Sequence, residues 1–322
     1  MENKLRVVFM GTPGFAAHIL DKMVLNDYTV VGVVTTPDRA AGRGYKLQSS
    51  DVKKTAEKHN LPLLQPENLK APTFHEELSK WEADIFVVVA FRMLPKVVWS
   101  MPAKGTFNLH GSLLPQYRGA APINWAIING DKETGVTTFY IDEKIDTGNI
   151  ILKQTCKITH QETAGSLHDK LMVIGSDLVQ KTLDLIYKEE VETIPQGELF
   201  TEEEPLRDAP KIFKPMCKID FNQSTLAVFN FIRGLNPYPA AHCYISNGTD
   251  EAIMHKIFLC EDKLEEHTYT PGHIETDGKT YYRIYCIDGF LEIGELQQAG
   301  KRKMTIGDYM RGLKQSNSLK VV

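Results

Sequence analysis

The run IFVVVA at residues 85–90 decides the fold, because six apolar residues follow one another there without alternating with polar ones. Such a run is typical of a strand that is buried on both faces of a parallel sheet. Further strand and helix patterns alternate along the first half of the chain, at 5–10, 15–25, 29–36 and 51–59. This alternation is typical of a doubly wound, Rossmann-like α/β sheet. We therefore predict one α/β domain over residues 1–188, ending in a helix over 164–188 with Thr163 as its N-cap.

Asn108 and His110 end the next predicted strand, residues 106–110. Side chains two residues apart on a strand share a face, and open α/β sheets bind ligands at the carboxyl ends of their strands. Asn108 offers an amide donor, and histidines titrate near neutral pH. Asp146, in the Asp-Thr-Gly sequence at 146–148, can orient the imidazole or exchange a proton with it. No Ser or Cys nucleophile and no metal-ligand pattern accompanies them, so we predict that an amine attacks a carbonyl directly while Asn108 and His110 stabilise the oxyanion.

The segment 189–208 differs from the rest of the chain in charge. It holds eight acidic side chains against the single base Arg207, a net charge of −7, which leaves +3 for the rest of a chain of net charge −4. We predict that this acidic segment is a linker that faces away from any bound nucleic acid. Beyond it, a helical pattern at 224–235 precedes short strand patterns at 241–245, 252–260, 280–287 and 289–296. Many short strands separated by Asp-Gly turns predict a small, OB-like β-barrel over 209–322.

Composition narrows the protein class. The five cysteines are scattered, without a Cys-x-x-Cys pair, which argues against a disulfide framework and against structural zinc. The first residues, MENKLRVVFMG, lack the apolar stretch of a signal peptide, and no other run is long enough to span a bilayer. We expect a cytoplasmic monomer that needs neither a metal nor a membrane.

Two stretches resemble a known enzyme family: FNLHGSLLPQYRGAAP at 107–122 and ETGVTTFYIDEKIDTGNI at 133–150. They are similar to the formyltransferases that use 10-formyltetrahydrofolate. Within that family, the members that formylate methionyl initiator tRNA share four further elements: GTPGFAA at 11–17, PDRAAGRGYKL at 37–47, RGLNPYPAA at 233–241 and LQQAGKRKM at 296–304. The resemblance runs nearly end to end. It implies 10-formyltetrahydrofolate as the formyl donor, the α-amine of methionine on initiator tRNA as the acceptor, and an OB-like second domain that binds the tRNA.

The resemblance also implies roles for individual residues. The residues expected to bind the formyl donor are Ser112, Leu113, Leu114 and Pro115, with Asp142 closing the pterin side. The residues expected to contact the aminoacyl group or the tRNA are Phe15, Arg39, Arg43, Lys46, Lys301, Arg302 and Lys303, and weaker candidates are Arg118, Lys211, Lys214 and Lys218. Phe91-Arg92 departs from the Tyr-Gly pair that is more usual in the family, so the wall of the folate pocket is expected to differ.

Two alternatives remain open from the sequence. A related enzyme would formylate a small amine, on a ribonucleotide or an amino sugar, but a small acceptor needs neither the 37–47 loop nor the second domain. A formyltetrahydrofolate hydrolase would use water in place of the amine with the same three residues.

Overall fold

The computed structural model describes residues 5–41, 46–200, 205–246, 252–313 and 319–322. The chain divides into two compact units. The first unit comprises residues 1–122, 133–157 and 168–209, and the second comprises 123–132, 158–167 and 210–322. Among the described residues, no helix has the length and apolar character needed to cross a membrane. All five cysteines are buried, and none of them is in a disulfide.

The first unit is built on a seven-stranded sheet. Its strands, including two short pairs outside that sheet, are β1 (Val7–Gly11), β2 (Val30–Val34), β3 (Arg39–Ala41), β4 (Lys46–Gln48), β5 (Leu63–Leu64), β6 (Ile85–Val89), β7 (Thr106–His110), β8 (Arg118–Gly119), β9 (Glu133–Tyr140), β10 (Ile150–Lys157) and β11 (Asp208–Ala209). The sheet order is β10-β9-β7-β6-β1-β2-β5. The five strands β7, β6, β1, β2 and β5 are parallel, whereas β9 and β10 extend the sheet as antiparallel strands. Every residue of β1 and β6 is buried, and the predicted Rossmann-like α/β fold is confirmed.

The described helices are α1 (Gly14–Leu25), α2 (Asp51–Lys58), α3 (Pro72–Ser79), α4 (Lys96–Trp99), α5 (Pro122–Ile128), α6 (Ala164–Lys188), α7 (Thr225–Gly234) and α8 (Ile306–Arg311). Helix α6 begins and ends at the predicted residues, and the Thr163 hydroxyl accepts a hydrogen bond from the N–H of Ser166 at its start. Gly175 lets α6 approach the sheet closely, because a Cβ there would lie 2.8 Å from Cδ2 of Leu109 on β7. The helix therefore packs directly against the strand that carries Asn108 and His110.

The second unit holds an antiparallel sheet that curves into a barrel-like form. Its strands are β12 (Ala241–Ser246), β13 (Ile253–Leu264), β14 (Ile274–Thr276), β15 (Tyr282–Tyr285), β16 (Gly289–Gln298), β17 (Met304–Thr305) and β18 (Lys320–Val321). They follow the order β14-β15-β16-β13-β12-β18, with β17 paired to β16. Helix α7 starts where the Ser224 hydroxyl accepts from the N–H of Ala227, and it packs Val228 and Ile232 into the core of this sheet. The predicted small β-barrel fold is confirmed.

The acidic segment 189–208 lies along the first unit over its described residues. Ile194 forms an antiparallel backbone pair with Ile150, with both N–H···O distances at 2.9 Å. Strand β11, at the end of the segment, pairs with β8. The four residues 201–204, three of them glutamates, lie outside the described residues. The segment that we predicted as a linker therefore contributes backbone pairing to the first unit.

Candidate functional site

Strand β7 carries Asn108 and His110 to the carboxyl edge of the first unit's sheet, between β6 and β9. Their side chains share one face because they are two residues apart on the strand. The His110 ring is buried, and its Nε2 lies 2.8 Å from the carbonyl oxygen of Tyr117. A carbonyl oxygen can only accept, so Nε2 carries the donated proton. Nδ1 is then the ring nitrogen that is available for proton transfer.

Asp146 faces that nitrogen. Its Oδ2 lies 3.8 Å from Nδ1 of His110, and both side chains are largely buried. The same carboxylate oxygen accepts a 2.9 Å hydrogen bond from the backbone N–H of Gly119. Because 3.8 Å is longer than a hydrogen bond, a reacting group or a water can lie beside both the carboxylate and the ring. The structure thus brings the two predicted ionisable groups of the site together, at the end of the strand that also carries Asn108.

The shape of the Asp-Thr-Gly turn depends on a backbone conformation, a hydrogen bond and a position where only glycine fits. Asp146 has φ 55°, in the left-handed region that non-glycine residues rarely adopt. The Thr147 hydroxyl donates to Asp142 Oδ1 over 2.8 Å, which closes the turn on its amino side. Gly148 is required on the other side, because a Cβ there would lie 1.7 Å from the carbonyl oxygen of Tyr140. The spacing Asp-x-x-x-Asp-Thr-Gly therefore describes one tight turn that aims the Asp146 carboxylate.

The loop after β7 contains the residues predicted to bind the donor, and most of their side chains are engaged within the protein. The Ser112 hydroxyl is buried and donates to the carbonyl of Gln116 over 2.6 Å. Leu114 is fully buried and packs with Phe139 and Ile150, and Pro115 is also buried. Leu113 keeps a partly exposed side chain. Any contact that this loop makes with a flat heterocycle would therefore come from Leu113 and from backbone groups.

Two clefts in the first unit adjoin each other. The larger has a volume of about 690 Å³ and is lined by residues 67–70 and 92–97. The smaller, of about 520 Å³, is lined by Arg118, Asp142, Glu143, Lys144, Thr147, Gln196 and Gly197. Lys96 of the first cleft forms a 2.6 Å ion pair with Glu143 of the second. Both volumes lie in the range of small-molecule sites.

Arg92, one of the two residues that depart from the family pattern, forms a wall of the larger cleft. Its guanidinium donates to the carbonyls of Pro66 and Glu67. Burial, together with the nearby charge of Arg39, lowers the pKa of Arg92. The departure therefore replaces part of the cleft wall with a guanidinium that is held by backbone oxygens.

The residues predicted to contact tRNA are placed as follows. Phe15 is buried in the first turn of α1, with its ring edge-on to that of His168 at 5.2 Å. Arg39 is exposed on β3, Arg43 lies outside the described residues, and only the backbone of Lys46, in β4, is described. In the second unit, the predicted basic triplet lies between β16 and β17. Lys301 and Arg302 are exposed there, whereas Lys303 pairs with Glu295 at 2.7 Å.

Three groups around the site were not predicted from the sequence: the carbonyl of Tyr117, the N–H of Gly119 and the side chain of Gln196. The first two are backbone groups, which every residue possesses, so no side-chain pattern indicates them. Gln196 lies in the acidic segment that was predicted to be a linker. Across the residues that the structure describes, no group of three or more His, Cys, Asp or Glu side chains could hold a metal ion.

Known proteins resemble the chain over almost its whole length. A family model described as "Formyl transferase" matches residues 4–183, and one described as "Formyl transferase, C-terminal domain" matches residues 211–314. The methionyl-tRNA formyltransferase of Bacteroides fragilis (strain YCH46) is 51% identical over 317 residues, which cover 98% of this chain and 98% of that protein. The methionyl-tRNA formyltransferase of Bacteroides thetaiotaomicron is 50% identical over 317 residues, again with 98% of each chain covered.

A solved structure shares the fold. The N-formyltransferase from Helicobacter canadensis, crystallised with folinic acid and dTDP-3-aminofucose, matches with a TM-score of 0.63 and 21% identity. The match covers 93% of this chain and 100% of that one.

Proposed function

Because the chain belongs to the formyl transferase family, we propose that it transfers the formyl group of 10-formyltetrahydrofolate to the α-amine of methionine on initiator tRNA. One observation carries this proposal: His110 and Asp146 face each other across 3.8 Å at the strand end that presents Asn108. The full-length similarity to methionyl-tRNA formyltransferases supports the choice of acceptor.

The amine attacks the formyl carbon as a free base. An α-amino group has a pKa of about 7.7–8.0, so a substantial share is neutral near physiological pH and no strong base is needed to start the reaction. Attack gives a tetrahedral centre with an oxyanion and a positively charged nitrogen. The Asn108 amide N–H donates to the oxyanion, which is the interaction that gains most strength in the transition state.

His110 and Asp146 manage the protons. Nε2 keeps its proton because the Tyr117 carbonyl accepts it, so Nδ1 takes the proton from the attacking nitrogen. The Asp146 carboxylate stabilises the imidazolium that forms, and this charged ring also favours the oxyanion. The proton then passes, directly or through a water, to the folate nitrogen as the bond from the formyl carbon to that nitrogen breaks. The products are N-formylmethionyl-tRNA and tetrahydrofolate.

The formyl transfer is direct, without a covalent enzyme intermediate. The Ser112 hydroxyl, two residues beyond the catalytic strand, is buried and committed to the Gln116 carbonyl. We place 10-formyltetrahydrofolate along the two clefts, with Leu113, the backbone of 112–115 and the Asp142 turn around the pterin. Arg92 and its neighbours then line the remainder of the donor.

The acceptor requires contacts with RNA. We assign Phe15 to the methionine side chain, Arg39, Arg43 and Lys46 to the acceptor end, and Lys301, Arg302 and Lys303 to phosphates bound by the second unit. The second unit also presents lysines beside exposed aromatic rings. Lys211 Nζ lies 5.5 Å from the ring centroid of Phe213, and Lys218 Nζ lies 5.7 Å from that of Tyr244. Interleaved basic and aromatic side chains are typical of surfaces that bind single-stranded RNA.

The proposal includes the setting in which the enzyme works. We propose that it acts in the cytoplasm as a monomer. All groups assigned to the proton transfer belong to one unit of one chain, so no second copy is needed to complete the catalytic centre.

The decisive experiment mixes the purified protein with 10-formyltetrahydrofolate and methionyl initiator tRNA, and measures formylmethionine after the ester is hydrolysed. Parallel reactions contain free methionine, an amino-sugar nucleotide, glycinamide ribonucleotide, or no acceptor. We expect transfer to the charged tRNA and none to free methionine. Transfer to a small amine alone would reassign the acceptor, and release of tetrahydrofolate without any acceptor would identify a hydrolase.

A further inference from the structure

Gln196 is buried beside the site although it comes from the segment predicted to be a linker. Its side chain is 2% exposed. Its amide nitrogen donates to the carbonyl oxygens of Asp146 and Gly148, each at 2.9 Å. Its amide oxygen accepts from Nε of Arg118 at 3.0 Å and from Nη2 of the same residue at 2.5 Å. A glutamine amide has two N–H donors and two acceptor lone pairs, so all four are in use.

The two carbonyls that Gln196 binds belong to Asp146, the residue in the left-handed region, and to Gly148, two residues later. A non-glycine residue in the left-handed region costs on the order of 1–3 kcal/mol, and it persists only where surrounding contacts hold it. The donor bonds from Gln196 hold Asp146 on one side and Gly148 on the other. A buried amide whose four bonds are all made restricts its partners to one arrangement.

The amide oxygen of Gln196 binds Arg118, and the residue after Arg118 supplies the backbone N–H that holds the Asp146 carboxylate. Arg118 precedes Gly119, whose N–H donates to Asp146 Oδ2. The guanidinium of Arg118 also lies over the ring of Phe200, at 5.5 Å, in the same segment as Gln196. The backbone pair between Ile194 and Ile150 anchors this segment two residues before Gln196. Gln196 therefore connects both backbone elements that orient the Asp146 carboxylate.

We propose that Gln196 is a positioning residue for formyl transfer. It fixes the Asp146 turn and the 118–119 strand relative to each other, so that the carboxylate faces Nδ1 of His110. The kinetic test of this role, the kcat for formyl transfer, rests on the proposed function. It makes part of the acidic segment a component of the catalytic centre.

Two substitutions separate the donor bonds from the acceptor bonds. Gln196→Met keeps the length of the side chain but loses all four hydrogen bonds. Gln196→Glu keeps the acceptor for Arg118 but has no N–H for the two carbonyls. Gln180→Met is the matched control, because Gln180 lies on α6 and bonds to Asn26 and Ser176.

Both Gln196 variants should lower kcat about 10- to 100-fold, the range expected when reacting groups are misplaced by about 1 Å. The KM for charged tRNA should stay within about twofold, because the interaction between the Asp146 carboxylate and the charged His110 ring forms only in the transition state. Gln180→Met should match the wild type. If Gln196→Glu keeps the wild-type kcat, the donor bonds do not position Asp146 and the inference is wrong.

A substrate-free measurement distinguishes positioning from general loosening. Amide hydrogen exchange should be faster in Gln196→Met at Gly119, whose N–H bonds to Asp146. It should be unchanged at Tyr117, whose N–H bonds to the carbonyl of Arg207 at 2.6 Å. Equal acceleration at both amides, or none at Gly119, would overturn the proposal. If the wild type formylates no charged tRNA, the proposed function fails, whereas the exchange experiment still decides whether Gln196 holds the turn.

Discussion

Replacing Asp146 by Asn tests the role of the carboxylate directly. The amide is close in size, and its oxygen can still accept from the N–H of Gly119. What disappears is the negative charge that lies 3.8 Å from Nδ1 of His110. The amide nitrogen could also donate to Nδ1, which would occupy the position that has to receive the proton of the attacking amine.

The magnitude follows from Coulomb's law. At 3.8 Å, and with an effective dielectric constant of about 20, a carboxylate stabilises an imidazolium by about 4 kcal/mol. Losing that stabilisation as the ring becomes charged should slow transfer about 10³-fold. The assay is a single-turnover reaction with enzyme in excess over methionyl-tRNA and with saturating 10-formyltetrahydrofolate, so that product release does not limit the rate.

The control uses another His–Asp pair of the same unit. Asp21, on α1, has its Oδ1 2.7 Å from Nε2 of His59, the residue that follows α2, and neither residue takes part in the proposed proton transfer. Asp21→Asn should leave the single-turnover rate within about twofold of the wild type. If Asp146→Asn transfers formyl within tenfold of the wild-type rate, Asp146 does not stabilise a charged His110, and the proposed path of the proton is refuted.

Three further outcomes are expected. Asn108→Ala should lower kcat and kcat/KM together by about 10²–10³-fold, as loss of an oxyanion donor does, and a change confined to KM would contradict that role. Gly148→Ala should lower the free energy of unfolding by about 1–3 kcal/mol, because its Cβ would overlap the Tyr140 carbonyl; an unchanged urea midpoint would show that the turn has room. Burial lowers the pKa of His255 below its ordinary 6.5, and Tyr309 lies 3.0 Å from its Nε2. The unfolded chain therefore binds more protons, so the free energy of unfolding should fall as the pH drops below 6.5. In His255→Gln, the free energy of unfolding should change less between about pH 7.5 and pH 5.5 than it does in the wild type. The same change in both proteins would show that His255 is not the group responsible.

The sequence by itself determined those features that depend on local periodicity and on side-chain type. Unalternating apolar runs predicted the buried parallel strands, and helix α6 was predicted to the residue because its apolar stripe and Thr163 cap are local signals. The two-residue spacing of Asn108 and His110 predicted that both lie on one face at the end of a strand. Asp146 was assigned as their partner from Asp-Thr-Gly taken together with NLHGSLLP at 108–115, two elements that resemble the formyltransferase family.

Only the tertiary structure decided how these groups are held. The carbonyl of Tyr117 selects which nitrogen of His110 is available, and the N–H of Gly119 orients Asp146. Ser112 turns its hydroxyl inward, and Gln196 enters the site from a segment that composition marks as a linker. The physical reason is that each of these contacts pairs groups distant in sequence or uses backbone atoms common to all residues. Their partners are selected by packing, which places a carbonyl, an amide or a buried glutamine within hydrogen-bond distance only once the chain has folded.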